Sequence, residues 1–168
     1  MPEQPAPSDP GRPVARLRFS PPLRELLSAI VTRVHTAAVE TPDAPPPPGA
    51  HPAQLPDPDL DAAWAEGLRE REEFDNHALL ALVVNPKFGL ADLPLTPPAA
   101  EAIARASVRV RLHLRQTLLR DLNSVELDGD LDVFRLPPIE QQGYACFRLL
   151  AHLEEDLIHQ LDPGLAKS

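Results

Sequence analysis

The sequence predicts an all-α fold: an irregular four-helix bundle with a short β-hairpin between the third and fourth helices. Two observations predict the helices. Apolar side chains recur at three- and four-residue steps through four separate stretches. Each stretch opens on proline, after a Ser, Thr or Asp able to cap it in the first three. A third observation fixes the organisation: 15 of the 22 prolines fall between Met1 and Pro58, so the residues that cannot be helical are segregated from those that can.

Residues 1–16 carry five prolines and few bulky apolar side chains. Such a segment cannot bury enough surface to offset its ordering entropy, and a disordered proline-rich arm is expected. Val14 to Phe19 alternates loosely and suggests a short extended piece. The first helix is expected from Pro21 to Val39, capped by Ser20, with Leu23, Leu26, Leu27, Ile30, Val31, Val34 and Ala38 forming its stripe. Residues 41–57, including Pro45 to Pro48, read as a proline-rich internal linker. Asp57 or Asp59 caps a second helix from Pro58 to Val84, which Asn85-Pro86 closes.

After a loop to Leu95, Thr96 caps a third helix reaching Leu122, with Glu101 favourably placed near its positive end. Apolar residues alternate around Asp128-Gly129 between Val125 and Phe134, the hairpin signal. The fourth helix, Pro138 to Leu161, lines up Ile139, Cys146, Phe147, Leu150, Leu153, Leu157, Ile158 and Leu161. Asp162-Pro163-Gly164 ends it, leaving residues 163–168 as a tail. The helical domain, residues 17–162, is long enough to bury about two thirds of its unfolded surface. No metal or disulfide is needed to hold it.

The chain has 168 residues, 43% of them apolar, and one cysteine, Cys146. A lone cysteine cannot form an internal disulfide, and no stretch approaches the roughly 18 consecutive apolar residues of a spanning helix. The first residues lack the basic-then-apolar pattern of a secretory signal, so a cytoplasmic location is expected. A formal net charge of −9 argues against nucleic acid or an anionic membrane as partner, because phosphate recognition is dominated by Lys and Arg.

Charge is distributed unevenly. The second helix carries seven acids and two arginines, and the third carries two acids and five arginines. On a helical wheel Arg105, Arg109 and Arg120 share the polar side of the third helix, a stripe suited to an acidic protein partner. It has no interleaved aromatics for base stacking. Arg111 and Arg115 fall inside the apolar arc instead. Arg71 and Asp75 lie on the apolar face of the second helix, and Glu154 on that of the fourth. Buried charges must be compensated, so Arg71, Asp75, Arg111, Arg115 and Glu154 are expected to meet in a buried network. Such a network either fixes helix register or forms a polar pocket for a small anion.

Other constellations point to no chemistry. His152, Asp156 and His159 sit on the outer side of the fourth helix without matching ligands elsewhere, so no metal site is assigned. Asp128, Asp130 and Asp132 imitate a calcium loop, but Val133 and Ile139 occupy the positions that need Gly and a carboxylate. Cys146 lies on an apolar face and reads as core. No phosphate loop or nucleophile elbow is present, and neither cofactor nor catalytic residue is predicted. Trp64 and Phe88 are the aromatic residues able to anchor an interface if exposed.

The order of parts resembles a known family. Asp57-x-Asp59-Leu60 leads to Leu68-Arg69-x-Arg71 and Asn76-x-x-Leu79-Leu80. Leu93-x-Leu95-Thr96 then opens an arginine-rich helix, and Leu149-Leu150-x-x-Leu153-x-x-x-Leu157 ends the domain. This is similar to a family of small helical bacterial proteins of unknown function whose genes often lie beside that of the ClpS adaptor of the Clp protease. The resemblance covers residues 17–162 and implies a link to regulated proteolysis; the family supplies no catalytic residues to carry over. The expectation is a non-enzymatic interaction or regulatory protein with a protein partner. The alternative is an anion-binding or hydrolytic bundle using the buried charges.

Overall fold

A computed structural model describes residues 13–40, 57–123, 126–127, 129 and 131–162. The arm before Pro13, the linker 41–56, the residues after Asp162, and Asp128 and Asp130 of the imitation calcium loop lie outside the described residues. Four long helices and one small antiparallel pair of strands make up the rest: β1 (Val14–Ala15), α1 (Pro21–Glu40), α2 (Pro58–Val83), β2 (Leu93–Pro94), α3 (Pro97–Gln116) and α4 (Pro138–Leu161).

The helix starts follow from local chemistry. Asp57 is extended at φ −102° and accepts the amide of Asp59 at 3.0 Å. Thr96 is extended at φ −81° and accepts the amide of Ala99 at 3.4 Å. In each case one orphan amide is satisfied. The prolines that follow lose nothing, because first-turn amides have no intrahelical acceptor.

The third helix is shorter than its apolar pattern predicts, ending at Gln116 rather than Leu122. The Thr117 hydroxyl donates back to the His113 carbonyl at 2.8 Å, and the Thr117 backbone leaves the helical region at φ −110°, ψ −81°. The turn that follows carries Leu119 fully into the core. There Leu118 and Leu119 close over Gly143 of α4, where an added Cβ would stand 3.2 Å from Leu118.

A short antiparallel pair accompanies the helices, but not across Asp128-Gly129. Val14 pairs with Pro94 and Ala15 with Leu93, tying the segment before α1 to the one before α3. Where the hairpin was expected, Glu126-Leu127 are helical and Val133–Arg135 form a single tight turn. The alternating pattern there places Leu127 in the core, which a helical turn does as well as a strand.

Residues 13–16, grouped with the arm on composition, belong to the fold for the same reason. Ala15 is buried, and the Gln160 side chain of α4 serves Val14 as a further strand would. Its Oε1 accepts the Val14 amide at 2.7 Å, and its Nε2 donates to the Val14 carbonyl at 3.0 Å. Gln160→Leu keeps the side-chain bulk but strands both backbone groups, so a loss of about 2–3 kcal/mol is expected in urea unfolding. A loss under about 0.5 kcal/mol would show that β1 is held by β2 alone.

Packing centres on α3, which lies against α4 most extensively and against α2 next. Ala100, Ala102, Ala104 and Ala106 of α3 are all buried; small side chains let helices approach closely. Ile103, Val110 and Leu114 join Leu150, Leu153 and Leu157 in the main core.

Candidate functional site

Asp75 and Ser107 are the buried polar side chains among the described residues, and Asp75 is 0% exposed. Ser107 is satisfied within its own helix by the Ile103 carbonyl. Asp75 is satisfied from α3, antiparallel to α2. Arg105 donates Nε to Oδ2 at 3.1 Å and an Nη to Oδ1 at 2.8 Å, the two-pronged grip that a guanidinium makes on a carboxylate. Arg109 adds a third donor to Oδ2 at 3.1 Å and stands 3.7 Å from Glu72. Hydrogen bonding to Asp75 pushes the Arg105 guanidinium above its ordinary value, so the guanidinium stays charged.

This corrects the sequence reading in two ways. Arg105 and Arg109, placed on an outward stripe with Arg120, turn inward to Asp75. Val108 and Leu112, bulky apolar residues of the same helix, are exposed. The wheel followed the bulky side chains, whereas the buried arc of α3 centres on Ile103, Ser107, Val110 and Leu114, with Ala100 and Ala104 at one edge and Ala102 and Ala106 at the other. Arg120 is exposed and lies 3.8 Å from the neighbouring Asp121.

Nor do the five expected network residues converge. Arg111 pairs with Glu154 at 2.6 Å, with its guanidinium 4.6 Å from the Phe147 ring centroid. This pair joins α3 to α4, while the Asp75 group joins α2 to α3. Arg71 and Arg115 are exposed.

Chemically, the Asp75 group is a closed salt bridge. Three N–H donors occupy its carboxylate oxygens, and among the described residues no histidine, thiol or hydroxyl hydrogen-bonds to it. An open recess of about 310 Å³ lies on the other side of α3, lined by Arg111, Glu154, Glu155 and His159. Its cation is already paired with one of its two carboxylates. Among the described residues no three His, Cys, Asp or Glu side chains converge on a possible metal position.

Cys146 is buried, and burial pushes its thiol up from 9.0 to about 12. The folded state then keeps a proton that the unfolded state loses above about pH 9. The contribution of this thiol to stability is intact below that pH and declines as pH rises toward 12. Native protein at pH 8 is therefore expected to resist alkylation by iodoacetamide until urea unfolds it. Rapid native modification would place the thiol at the surface.

The feature with an outward face is α2. From Asp57 to Phe74 every side chain described is exposed, apart from partly buried Asp61. Trp64 is 53% exposed; Leu60 and Leu68 lie about one turn either side of it and Phe74 nearly three turns on, all exposed. Arg109 of α3 meets α2 at Glu72 to Asn76. Only about 10 Å of α3 remains beyond Arg109, enough to accompany α2 back to about Leu68. The earlier turns of α2 outrun α3. The sequence signal for this was Trp64 itself, but periodicity could not say whether the stripe meets a neighbour. Phe88, the other aromatic anchor considered, is 1% exposed and packs edge-on to Phe19 at 5.1 Å.

Compared with protein-family models, with curated proteins and with solved structures, the chain matches none of them. No described helix is long and apolar enough to cross a membrane.

Proposed function

We propose that this chain is a non-enzymatic interaction protein of the bacterial cytoplasm, an irregular helical bundle whose contact surface is the exposed stripe of α2. The stripe carries the reading. Leu60, Trp64, Leu68 and Phe74 form a run of large apolar side chains on a helix that has outrun its neighbour. Contiguous exposed apolar patches on soluble proteins mark interaction sites, and a central Trp is the commonest kind of anchor. The net charge of −9 turns the reading toward a protein partner and away from nucleic acid. A role in regulated proteolysis follows from the family resemblance alone.

The anion-binding or hydrolytic alternative draws less support. Arg105 and Arg109 are spent on Asp75, and Arg111 on Glu154. A photo-reactive amino acid placed at position 64 in living cells tests the reading, with exposed position 152 of α4 as control. Protein adducts of defined mass are expected from 64 and not from 152. No adduct from 64, or the same smear from both, would overturn it.

A further inference from the structure

We infer that the exposed half of α2 pairs antiparallel with the same segment of a second copy of this chain, about a two-fold axis passing beside Trp64. The inference rests on the reading of α2 as a contact surface and names its occupant.

Three observations carry it. First, the stripe is self-complementary in only one direction. Leu60 and Leu68 lie four residues either side of Trp64, and Asp57 and Arg71 lie seven either side. The Asp57 Oδ1 caps the Asp59 amide, and its second oxygen has no hydrogen bond among the described residues. An antiparallel pair centred on Trp64 therefore sets Leu60 against Leu68 of the second copy and Asp57 against its Arg71, twice over by symmetry. A parallel pair would oppose carboxylate to carboxylate and guanidinium to guanidinium. At 3.6 residues per turn Leu60, Trp64, Leu68 and Arg71 fall within an arc of about 80°, narrow enough to face one partner helix.

Second, Gly67 interrupts α2 beside Trp64, and nothing among the described residues requires it. A Cβ there would meet no atom within 4 Å. A glycine in a helix interior is about 1 kcal/mol worse than alanine. In the antiparallel pair Gly67 stands opposite Asp61 of the second copy and less than one turn from its indole, where a missing side chain makes room for a large one.

Third, the extent fits a modest complex. The exposed run from Pro58 to Phe74 is about 25 Å long. Two such helices bury less than about 1,200 Å², at the small end of specific interfaces. A reversible dimer with a micromolar dissociation constant is the expected result.

The test is sedimentation equilibrium on the full chain from about 1 to 300 µM, where association is read directly by mass action. Wild type is expected to convert from monomer to dimer, and Trp64→Ala to weaken the dimer at least about tenfold. Arg71→Asp is expected to weaken it by about tenfold from two like-charge contacts, Asp57→Arg by at least as much because it also gives up the α2 cap, and the two variants mixed together to associate more tightly than either alone. Gly67→Ala gives an independent reading, because it should raise the melting temperature of dilute monomer while weakening the dimer. Wild type that stays monomeric throughout, or a dimer indifferent to Trp64→Ala and to mixing the charge variants, overturns the inference. A position-64 adduct with some other protein, from a chain that stays monomeric, overturns self-pairing and leaves the contact-surface reading standing.

Discussion

Asp75→Ala is expected to destabilise the fold by about 3–5 kcal/mol, the range for removing one partner of a buried ion pair. The carboxylate is wholly buried and holds Arg105 and Arg109 through three hydrogen bonds. Its removal takes away the wholly buried partner of two guanidinium groups, leaving Arg105 with Glu101 at 3.7 Å and Arg109 with Glu72 at 3.7 Å. For a domain of this size the loss corresponds to a fall in melting temperature of roughly 10 °C. Arg105→Leu should cost less, because Arg109 remains on the same carboxylate and the Arg105 side chain is 43% exposed. Replacing Asp75, Arg105 and Arg109 together by leucine should recover most of the loss, since exchanging a whole buried ion cluster for apolar packing is often neutral or better. Urea unfolding followed by circular dichroism reads all three. A cost below about 1 kcal/mol for Asp75→Ala would mean that water reaches the site and screens it.

The Asp75 group also shows where sequence reasoning stops. That Asp75 is buried and paired with arginine was legible, because a carboxylate on an otherwise apolar helix face has no other stable fate. Which arginines was not legible, because the answer depends on the rotation of α3. The buried arc of α3 is edged on both sides by alanine, Ala100 and Ala104 on one and Ala102 and Ala106 on the other, residues too small to register on a wheel weighted by bulk. Helix starts, by contrast, were legible to the residue at Pro58, Pro97 and Pro138, since proline and its capping neighbour act within one turn. Strand contacts failed for the opposite reason. Val14 finds its partners at Pro94, nearly half the chain away, and at Gln160, 146 residues away, and no local pattern encodes such a pairing.

Trp64 and Phe88 make the same point through energies, and they supply the second large effect. In sequence both are aromatic anchors near the ends of one helix. In the fold Phe88 is buried, with its ring against Phe19, and the turn that carries it is built for that contact. Asn85 accepts the Phe88 amide at 2.9 Å through its carbonyl and the Lys87 amide through its side chain. Gly89 takes φ +81°, and a Cβ there would come within 2.8 Å of the Phe19 ring, so only glycine lets the chain turn beneath it. Phe88→Ala should therefore cost about 3–5 kcal/mol, the transfer of the ring plus the cavity left behind. Trp64→Ala, at a position 53% exposed, should change the stability of dilute protein by no more than about 0.5 kcal/mol. Both must be measured well below any association, because a dimer that binds only the folded chain would lend Trp64 a stability belonging to the complex. If the two costs came out in the reverse order, α2 would have to pack along its whole length within one chain, and the case for a contact surface there would fail with it.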